Sequence, residues 1–204
     1  IIFKTSLMEG MLLGAVISST DAASVFSILR SKNLNLKGGL ASMLEMESGS
    51  NDPMSYMLTI IVLAFMKSSG QISVIELLSK QIFFGLAVGV AVSIAAVFVF
   101  NRVKISIEGL YPIFTIGIVL TGYALSELLS GNGLLCVYVI GIIMGNTTLI
   151  HKRSLVHFFD GMAWLMQIIL FFTLGLLVFP SQLPPVFFEG FLVSIFLVLI
   201  ARPI

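Results

Sequence analysis

The segment from Leu44 to Met57, LEMESGSNDPMSYM, gathers three acidic residues inside a chain that is otherwise dominated by apolar side chains. Hydrophobic residues make up 58% of the 204 residues and charged residues only 10%, whereas about a quarter of a typical soluble domain is charged. This composition indicates an integral membrane protein. The acids Glu47 and Asp52 are therefore candidates for a polar site within the bilayer, whereas Glu45 lies nearer the membrane edge, where an interfacial position is expected.

Apolar runs long enough to cross a bilayer recur along the whole chain. A spanning helix needs about 20 mostly apolar residues. The sequence contains seven candidate spans, at residues 8–29, 40–66, 78–100, 110–129, 133–149, 161–180 and 186–204. The chain begins without Met or a cleavable signal pattern and ends on an apolar run, which favours an internal part of a longer membrane domain. We therefore predict an all-α, polytopic membrane helix bundle of about seven spans.

Two of the candidate spans carry small residues at four-residue spacing. The third contains Gly85, Gly89 and Ser93, and the fifth contains Gly141 and Gly145. Small residues at this spacing let two helices approach closely. We expect them to pack helices within one subunit, and a seam between two copies is the less favoured alternative.

The first span contains a polar cluster, Ser18, Ser19, Thr20 and Asp21, near its middle. At a rise of ~1.5 Å per residue, Asp21 lies ~20 Å from Met8, about half-way through the membrane. Ser, Thr and Asp favour the first turn of a helix, so the cluster predicts two half-helices that join near Thr20. Such a break presents backbone carbonyls to an ion. The alternative is an unbroken helix whose hydroxyls bond to the preceding turn.

The second span contains the opening segment. If this span is helical, Ser48 and Asp52 lie four residues apart on one face and can place oxygens around one small site. Pro53 has no amide hydrogen, so the carbonyl of Gly49 loses its helical donor. Carboxylate, hydroxyl and carbonyl oxygens together suit a hard cation such as Na+ or K+.

A buried carboxylate either takes up a proton or holds a cation, and the two states exclude each other at one group. Alternation between them is the chemistry of an antiporter, and we assign it to Asp52. The alternative for a buried acid is a permanent ion pair. Glu47 fits that alternative, because Arg202 is the one basic residue deep in a span and needs a buried acid.

Other ligand chemistry is excluded by the composition. The single Cys136 provides neither an intramolecular disulfide nor a thiolate metal cluster. His151 and His157 lie in a connection, without the spacing of a helical ligand pair. The net charge is +1 and Lys and Arg form no run, which excludes a nucleic-acid partner. We expect no cofactor and no metal beyond the monovalent cation.

The polar motifs stand in a fixed order: SSTDAASVF, then LEMESGSNDPM, then FFDGMAWLMQIILFFTLGLLV and a later ARP. In this order they resemble the NhaP-type proton antiporters of the first monovalent cation/proton antiporter family, in particular its bacterial potassium/proton branch. The resemblance runs through essentially the whole chain. It implies an internal part of a larger inverted-repeat fold in a bacterial inner membrane, with a role in pH and volume homeostasis.

The resemblance also implies an assembly. Proteins of this family form homodimers in which a core domain moves against a dimerisation domain. Core-type helices are expected at about 8–66 and 186–204, and dimerisation-side helices at about 78–180. The expected partners are the lipid bilayer, a second copy and the remaining helices of the same chain.

Residue roles follow from the same resemblance. It implies that Asp52 binds the cation and the proton, with Asn51 beside it. Ser48 and the backbone at Thr20 are implied ligands, and Asp21 reaches the site through water.

The resemblance further implies a buried ion pair between Glu47 and Arg202, as the charges suggest. Asn rather than a second Asp at position 51 resembles the electroneutral branch, which exchanges one proton for one cation.

The expected function is therefore secondary active antiport by alternating access, with K+ favoured and Na+ possible, and no enzymatic activity. One alternative is a passive cation channel. Another is an intramembrane aspartyl protease, in which Asp21 and Asp52 share a proton. Neither aspartate lies in the Tyr-Asp or Gly-x-Gly-Asp sequence context that is typical of such proteases.

Overall fold

The computed structural model describes residues 6–20, 36–67, 73–102 and 107–201, and every regular element in these ranges is helical. The helices are α1 (Leu7–Ile17), α2 (Leu40–Lys67), α3 (Val74–Arg102), α4 (Leu110–Leu128), α5 (Gly133–Asn146), α6 (Lys152–Leu177) and α7 (Leu183–Phe196). Short 3₁₀ turns precede α2 and α7, and α7 continues as a wider turn over Leu197–Ala201. The predicted all-α fold is confirmed, and one helix corresponds to each predicted span. The second half of the first span lies outside the described residues.

Four segments are long and apolar enough to cross a membrane: α3, α4, α6 and the run Pro180–Ala201 that contains α7. The helices α1 and α5 are apolar but shorter, with 11 and 14 residues. Helix α2 has 28 residues, and its length alone suffices for a span. Its mean hydropathy is reduced by the acidic and small polar residues of the opening segment. The fold is therefore that of a multi-pass membrane protein.

The ends of two helices differ from the predicted spans. Helix α6 begins at Lys152, nine residues before the predicted start at 161. Helix α3 begins at Val74, and its first turns include an ion pair in which Lys80 Nζ lies 2.6 Å from Glu76 Oε1. The end of an apolar run marks the edge of the bilayer. The helix itself can continue beyond that edge, because Lys, Arg and Glu are good helix formers.

The core lies where α3, α4 and α5 pack together. It contains the buried side chains of Ala96, Phe100, Tyr111, Cys136, Ile140 and Met144, with Leu155 from α6. Helices α3 and α5 approach closely because Gly89 has no side chain. A Cβ atom at Gly89 lies 2.9 Å from Val139 Cβ and 3.0 Å from the carbonyl oxygen of Cys136. The predicted close packing within one subunit is confirmed here.

The same expectation is not met at Gly141 and Gly145. No atom in the described part of the chain lies within 4 Å of a Cβ atom built at either position. Both glycines instead line an apolar cavity of about 430 Å³ between α4, α5 and α6. Four-residue spacing of glycines allows another helix to approach closely. It does not show that another helix of this chain lies opposite them.

Candidate cation site

Helix α1 ends at Ile17, directly before the polar cluster of the first span. Ser18 and Ser19 form a turn, and Thr20 is not helical. The Ser18 hydroxyl donates to the carbonyl of Ala15 at 2.7 Å, one of the terminal carbonyls that lack a helical donor. This bond to the preceding turn is also what the alternative of an unbroken helix expects. Residues 21–35 lie outside the described ranges, so the break near Thr20 and the second half-helix both stay predictions.

Three hydrogen bonds join this end of α1 to α2. The Ser19 hydroxyl donates to the Oδ1 carboxylate oxygen of Asp52. The Ser48 hydroxyl donates to the carbonyl of Thr20 at 2.9 Å. Two turns beyond Ser48 on α2, the Ser55 hydroxyl donates to the carbonyl of Ala15 at 2.6 Å. The end of α1 and the opening segment therefore form one junction that is rich in oxygen atoms.

Asp52 faces a cavity of about 430 Å³ between this junction and α6. The polar part of its lining consists of Ser19, Ser48, Asp52 and Gln167, and the remainder is apolar. The cavity is large enough for a monovalent cation together with several water molecules, each of which occupies about 30 Å³. A carboxylate and two hydroxyls on one wall provide the oxygen ligands that such a cation needs.

Glu47 and Asn51 lie on the neighbouring face of α2 and contact each other. The side-chain amide of Asn51 donates to Glu47 Oε1 at 3.1 Å. The Asn51 Oδ1 atom is buried and has no partner in the described ranges. Asn51 is thus bonded to the acid of the expected ion pair and not to Asp52.

Helix α2 runs through Pro53 as one continuous helix. Asp52 is exposed to the cavity, whereas the next residue, Pro53, is buried on the other side. The helix therefore separates the polar junction from the packed interior.

The whole chain, residues 1–204, matches the family described as sodium/hydrogen exchanger, transmembrane. The chain belongs to this family. The K(+)/H(+) antiporter NhaP of Alkalimonas amylolytica is 39% identical over 199 residues, which are 97% of this chain and 34% of that protein. The K(+)/H(+) antiporter NhaP2 of Shewanella sp. (strain ANA-3) is 37% identical over 207 residues, which are 100% of this chain and 36% of that protein.

A more distant relative is the probable Na(+)/H(+) antiporter 2 of Methanocaldococcus jannaschii. It is 27% identical over 219 residues, which are 96% of this chain and 48% of that protein. No solved structure gives a significant match. The chain spans about a third of the length of the bacterial relatives. The bacterial relatives and the apolar helices together support a multi-pass location in a bacterial inner membrane.

The sequence-predicted site residues of this exchanger-family chain fall into three groups. The structure brings Asp52, Ser48 and the Thr20 carbonyl together at one junction. It places Asn51 with Glu47, one helix face away. Asp21 and Arg202 lie outside the described residues.

Two residues of the junction were not predicted from the sequence. Ser19 belongs to the polar cluster of the first span, but a cap signal does not tell which hydroxyl faces α2. Gln167 of α6 also lines the cavity. The available signal for Gln167 was its position as a polar residue in an otherwise apolar run. The sequence did not indicate that it faces the end of α1 and α2.

Other metal chemistry has no support in the described part of the exchanger-family chain. No group of three or more His, Cys, Asp or Glu side chains there is arranged to hold a metal ion. His151 instead contacts Glu108, with 3.0 Å between Nδ1 and Oε1, and packs against the ring of Tyr111. Cys136 is a free, buried thiol in the core.

Proposed function

We propose that the complete protein that contains this chain exchanges a monovalent cation for a proton, with K+ favoured and Na+ possible. The observation that carries the proposal is the junction at which Asp52 lies beside the oxygens of Ser19, Ser48 and Thr20. Two relatives named K(+)/H(+) antiporters support potassium, and a relative named as a probable Na(+)/H(+) antiporter keeps sodium as the second candidate.

The ligands of the cation are the Asp52 carboxylate, the Ser48 hydroxyl oxygen and the Thr20 carbonyl oxygen. The last two oxygens lie 2.9 Å apart because the hydroxyl donates to the carbonyl. When the hydroxyl hydrogen rotates away, lone pairs of both oxygens become available at nearly the same position. A cation can then replace the hydrogen between them, next to Asp52. Asp21 contributes through water.

Coupling follows from the charge of Asp52. Either a proton or a cation neutralises the carboxylate, whereas the empty, ionised site is costly to carry through the membrane. Only the two loaded forms therefore move between the two sides, and each cycle exchanges one proton for one cation. Asn51 carries no charge, so the exchange is electroneutral.

Glu47 and Arg202 form the supporting ion pair. The Asn51 amide already donates to Glu47 Oε1, and its buried Oδ1 atom is an acceptor suited to a guanidinium group. A buried Arg needs both a carboxylate and further acceptors. In this arrangement Asp52 is the acid of the segment that alternates between binding a proton and binding a cation.

The larger architecture is an inverted-repeat bundle that assembles as a homodimer. The end of α1 at Ile17 supports a broken first helix near Thr20. Core-type helices cover about 8–66 and 186–204, and dimerisation-side helices about 78–180. No residue of α7 is buried within the described chain, and further helices of the complete protein and lipid cover its apolar faces.

Proton movement in inverted membrane vesicles of the complete protein tests this function. Li+, Na+, K+ and Rb+ are added separately at several pH values, and the imposed membrane potential is varied. We expect K+ to drive the largest proton movement, Na+ a smaller one, and the rate to be independent of the potential. Cation flux without proton movement would instead identify a passive channel.

A further inference from the structure

The connection between α4 and α5 ends at Asn132, a buried residue that contacts α2 at Pro53, next to Asp52. We infer that Asn132 is a positioning residue for this site, which holds the turn of α2 that carries Asp52. The inference rests on the proposed function and adds a residue that does not itself touch the cation.

Every polar group of Asn132 is used, although the residue is 0% exposed. Its side-chain amide donates to the carbonyl of Pro53 at 2.9 Å, and its Oδ1 atom accepts from the amide of Leu135 at 2.9 Å. Its backbone amide donates to the carbonyl of Gln81, and its carbonyl accepts from the amide of Cys136, both at 3.0 Å. One residue thereby links α2 and α3 to the start of α5.

The turn of α2 that carries Asp52 is short of one helical hydrogen bond. Pro53 has no amide hydrogen, so it cannot donate to the carbonyl of Gly49. Helices bend most readily where this ladder is interrupted. The bond from Asn132 does not replace the lost donor at Gly49; it holds the carbonyl of Pro53, at the residue where the ladder is interrupted.

A second contact supports the turn from the same side. A Cβ atom at Gly49 would lie 2.6 Å from a ring carbon of Tyr138 on α5, so the ring packs directly on the backbone of α2. Gly49 and Pro53 are one turn apart, on the helix face next to the one that carries Ser48 and Asp52. Helix α5 therefore supports this face of the turn, while Asp52 faces the cavity.

Capping of α5 is the simpler role for Asn132, and it explains only half of the contacts. The bond between Oδ1 and the amide of Leu135 is an ordinary N-cap, which Ser or Asp provides equally well. The donated bond to Pro53 joins residues 79 positions apart and contributes nothing to the cap. The side-chain amide of Asn132 forms both bonds, one through its oxygen and one through its nitrogen. A substitution that keeps the oxygen acceptor and removes the nitrogen donor therefore separates the two roles.

Asn132→Ser in the full-length protein retains the cap of α5 and removes the donor to Pro53. We expect the KM for K+ to rise about threefold to tenfold, the range for one lost hydrogen bond, and the pH profile of exchange to shift. The rate at saturating K+ should stay within about twofold of wild type, because the chemistry of Asp52 is unchanged. Asn146→Ser is the matched control, since Asn146 lies at the other end of α5 and donates only to Ile142 of the same helix.

A second variant keeps the test decisive if Asn132→Ser folds poorly. Asn132→Gly places another residue type that helix N-caps favour, introduces no buried charge and has no side chain to donate to Pro53. The rise in Tm of the purified protein with increasing K+ reports cation binding independently of transport. We expect this variant to need a higher K+ concentration for the same rise.

Unchanged KM, pH profile and K+ dependence of Tm in both variants would overturn the role of Asn132. The same holds if only the yield or the maximal rate falls, since that is the signature of capping alone. Failure of the proposed function looks different. In that case wild type itself shows no K+-driven proton movement, or Asp52→Asn retains it.

Discussion

Asp52 and Glu47 lie five positions apart on α2 and have different neighbours. Asp52 accepts a hydrogen bond from Ser19 and faces the cavity, whereas Glu47 accepts from Asn51 on the adjacent face. The Ser19 hydroxyl can rotate to admit a cation next to Asp52, whereas the partner of Glu47 is a side-chain amide of the same helix. The surroundings therefore suit Asp52 for exchange and Glu47 for support.

Replacement of Ser19 tests the hydroxyl that contacts Asp52. Ser19→Ala in the complete protein removes the hydrogen bond to Asp52 and one oxygen atom from the wall of the cavity. The KM for K+ at a fixed pH should rise about threefold.

Ser18→Ala is the control for this experiment, because the Ser18 hydroxyl bonds only to Ala15 within the end of α1. It should exchange like wild type. A KM for K+ of Ser19→Ala that equals that of Ser18→Ala would remove Ser19 from the site.

Glu47→Gln tests the supporting pair. In the proposed pair, loss of the carboxylate leaves Arg202 without its acid, and an uncompensated buried charge is strongly destabilising. We expect the Tm of the purified complete protein to fall by several degrees, with Glu76→Gln unchanged because Glu76 pairs with Lys80 at the surface. Equal Tm values for both variants would contradict the pair.

At the scale of elements, α3 and α5 determine how firmly the site is supported. They meet at Gly85 and Gly89. Because glycine has no side chain, backbone atoms at the start of α5 occupy the space next to both residues. A Cβ atom at Gly85 lies 3.0 Å from the carbonyl oxygen of Asn132, the residue that also contacts α2. The packing of α3 on α5 is thus continuous with the contact of α5 on α2 next to Asp52.

Gly89→Ala tests this packing. The new methyl group meets the backbone of Cys136 at 3.0 Å, which cannot move aside as a flexible side chain does. We expect the free energy of unfolding to fall by about 1–3 kcal/mol. Gly117→Ala on α4 is the control, since nothing in the described chain lies within 4 Å of it, and Ala there should stabilise by up to about 1 kcal/mol. Thermal unfolding in detergent compares the two, and equal stabilities would contradict the close contact.

The elements were largely predictable from the sequence, and their ends were not. Apolar runs indicate where a helix crosses the bilayer, so the central parts of α2 to α7 match the predicted spans. The start of α6 was missed because the polar residues from Lys152 onwards remain helical outside the apolar run. Glycine spacing predicted the contact at Gly89 but not the open space at Gly141, because the opposite surface is set by the tertiary fold.

The candidate site was predictable where local chemistry determines it. Helical spacing places Ser48 and Asp52 on one face of α2, and both line the same cavity. Ser19 and Asn132 were missed because their partners lie 33 and 79 positions away along the chain. Such contacts depend on how helices pack, which no local pattern encodes.

At the scale of the whole molecule, the polar junction lies inside a multi-pass membrane bundle of the sodium/hydrogen exchanger family. The bilayer explains why so few carboxylates occur and why each needs a partner. One acid with an exchangeable partner is then sufficient to couple two ion flows. Asp52 is the acid proposed for this role.

The most direct test is K+-driven proton movement in inverted membrane vesicles that contain the complete protein. Wild type, Asp52→Asn and Glu76→Gln are compared at equal protein levels over a range of pH. Asn matches Asp in size but neither releases a proton nor carries the charge that holds a cation. Wild type and Glu76→Gln should exchange K+ for protons, and Asp52→Asn should not do so at any pH. Exchange by Asp52→Asn at the wild-type rate would contradict the account.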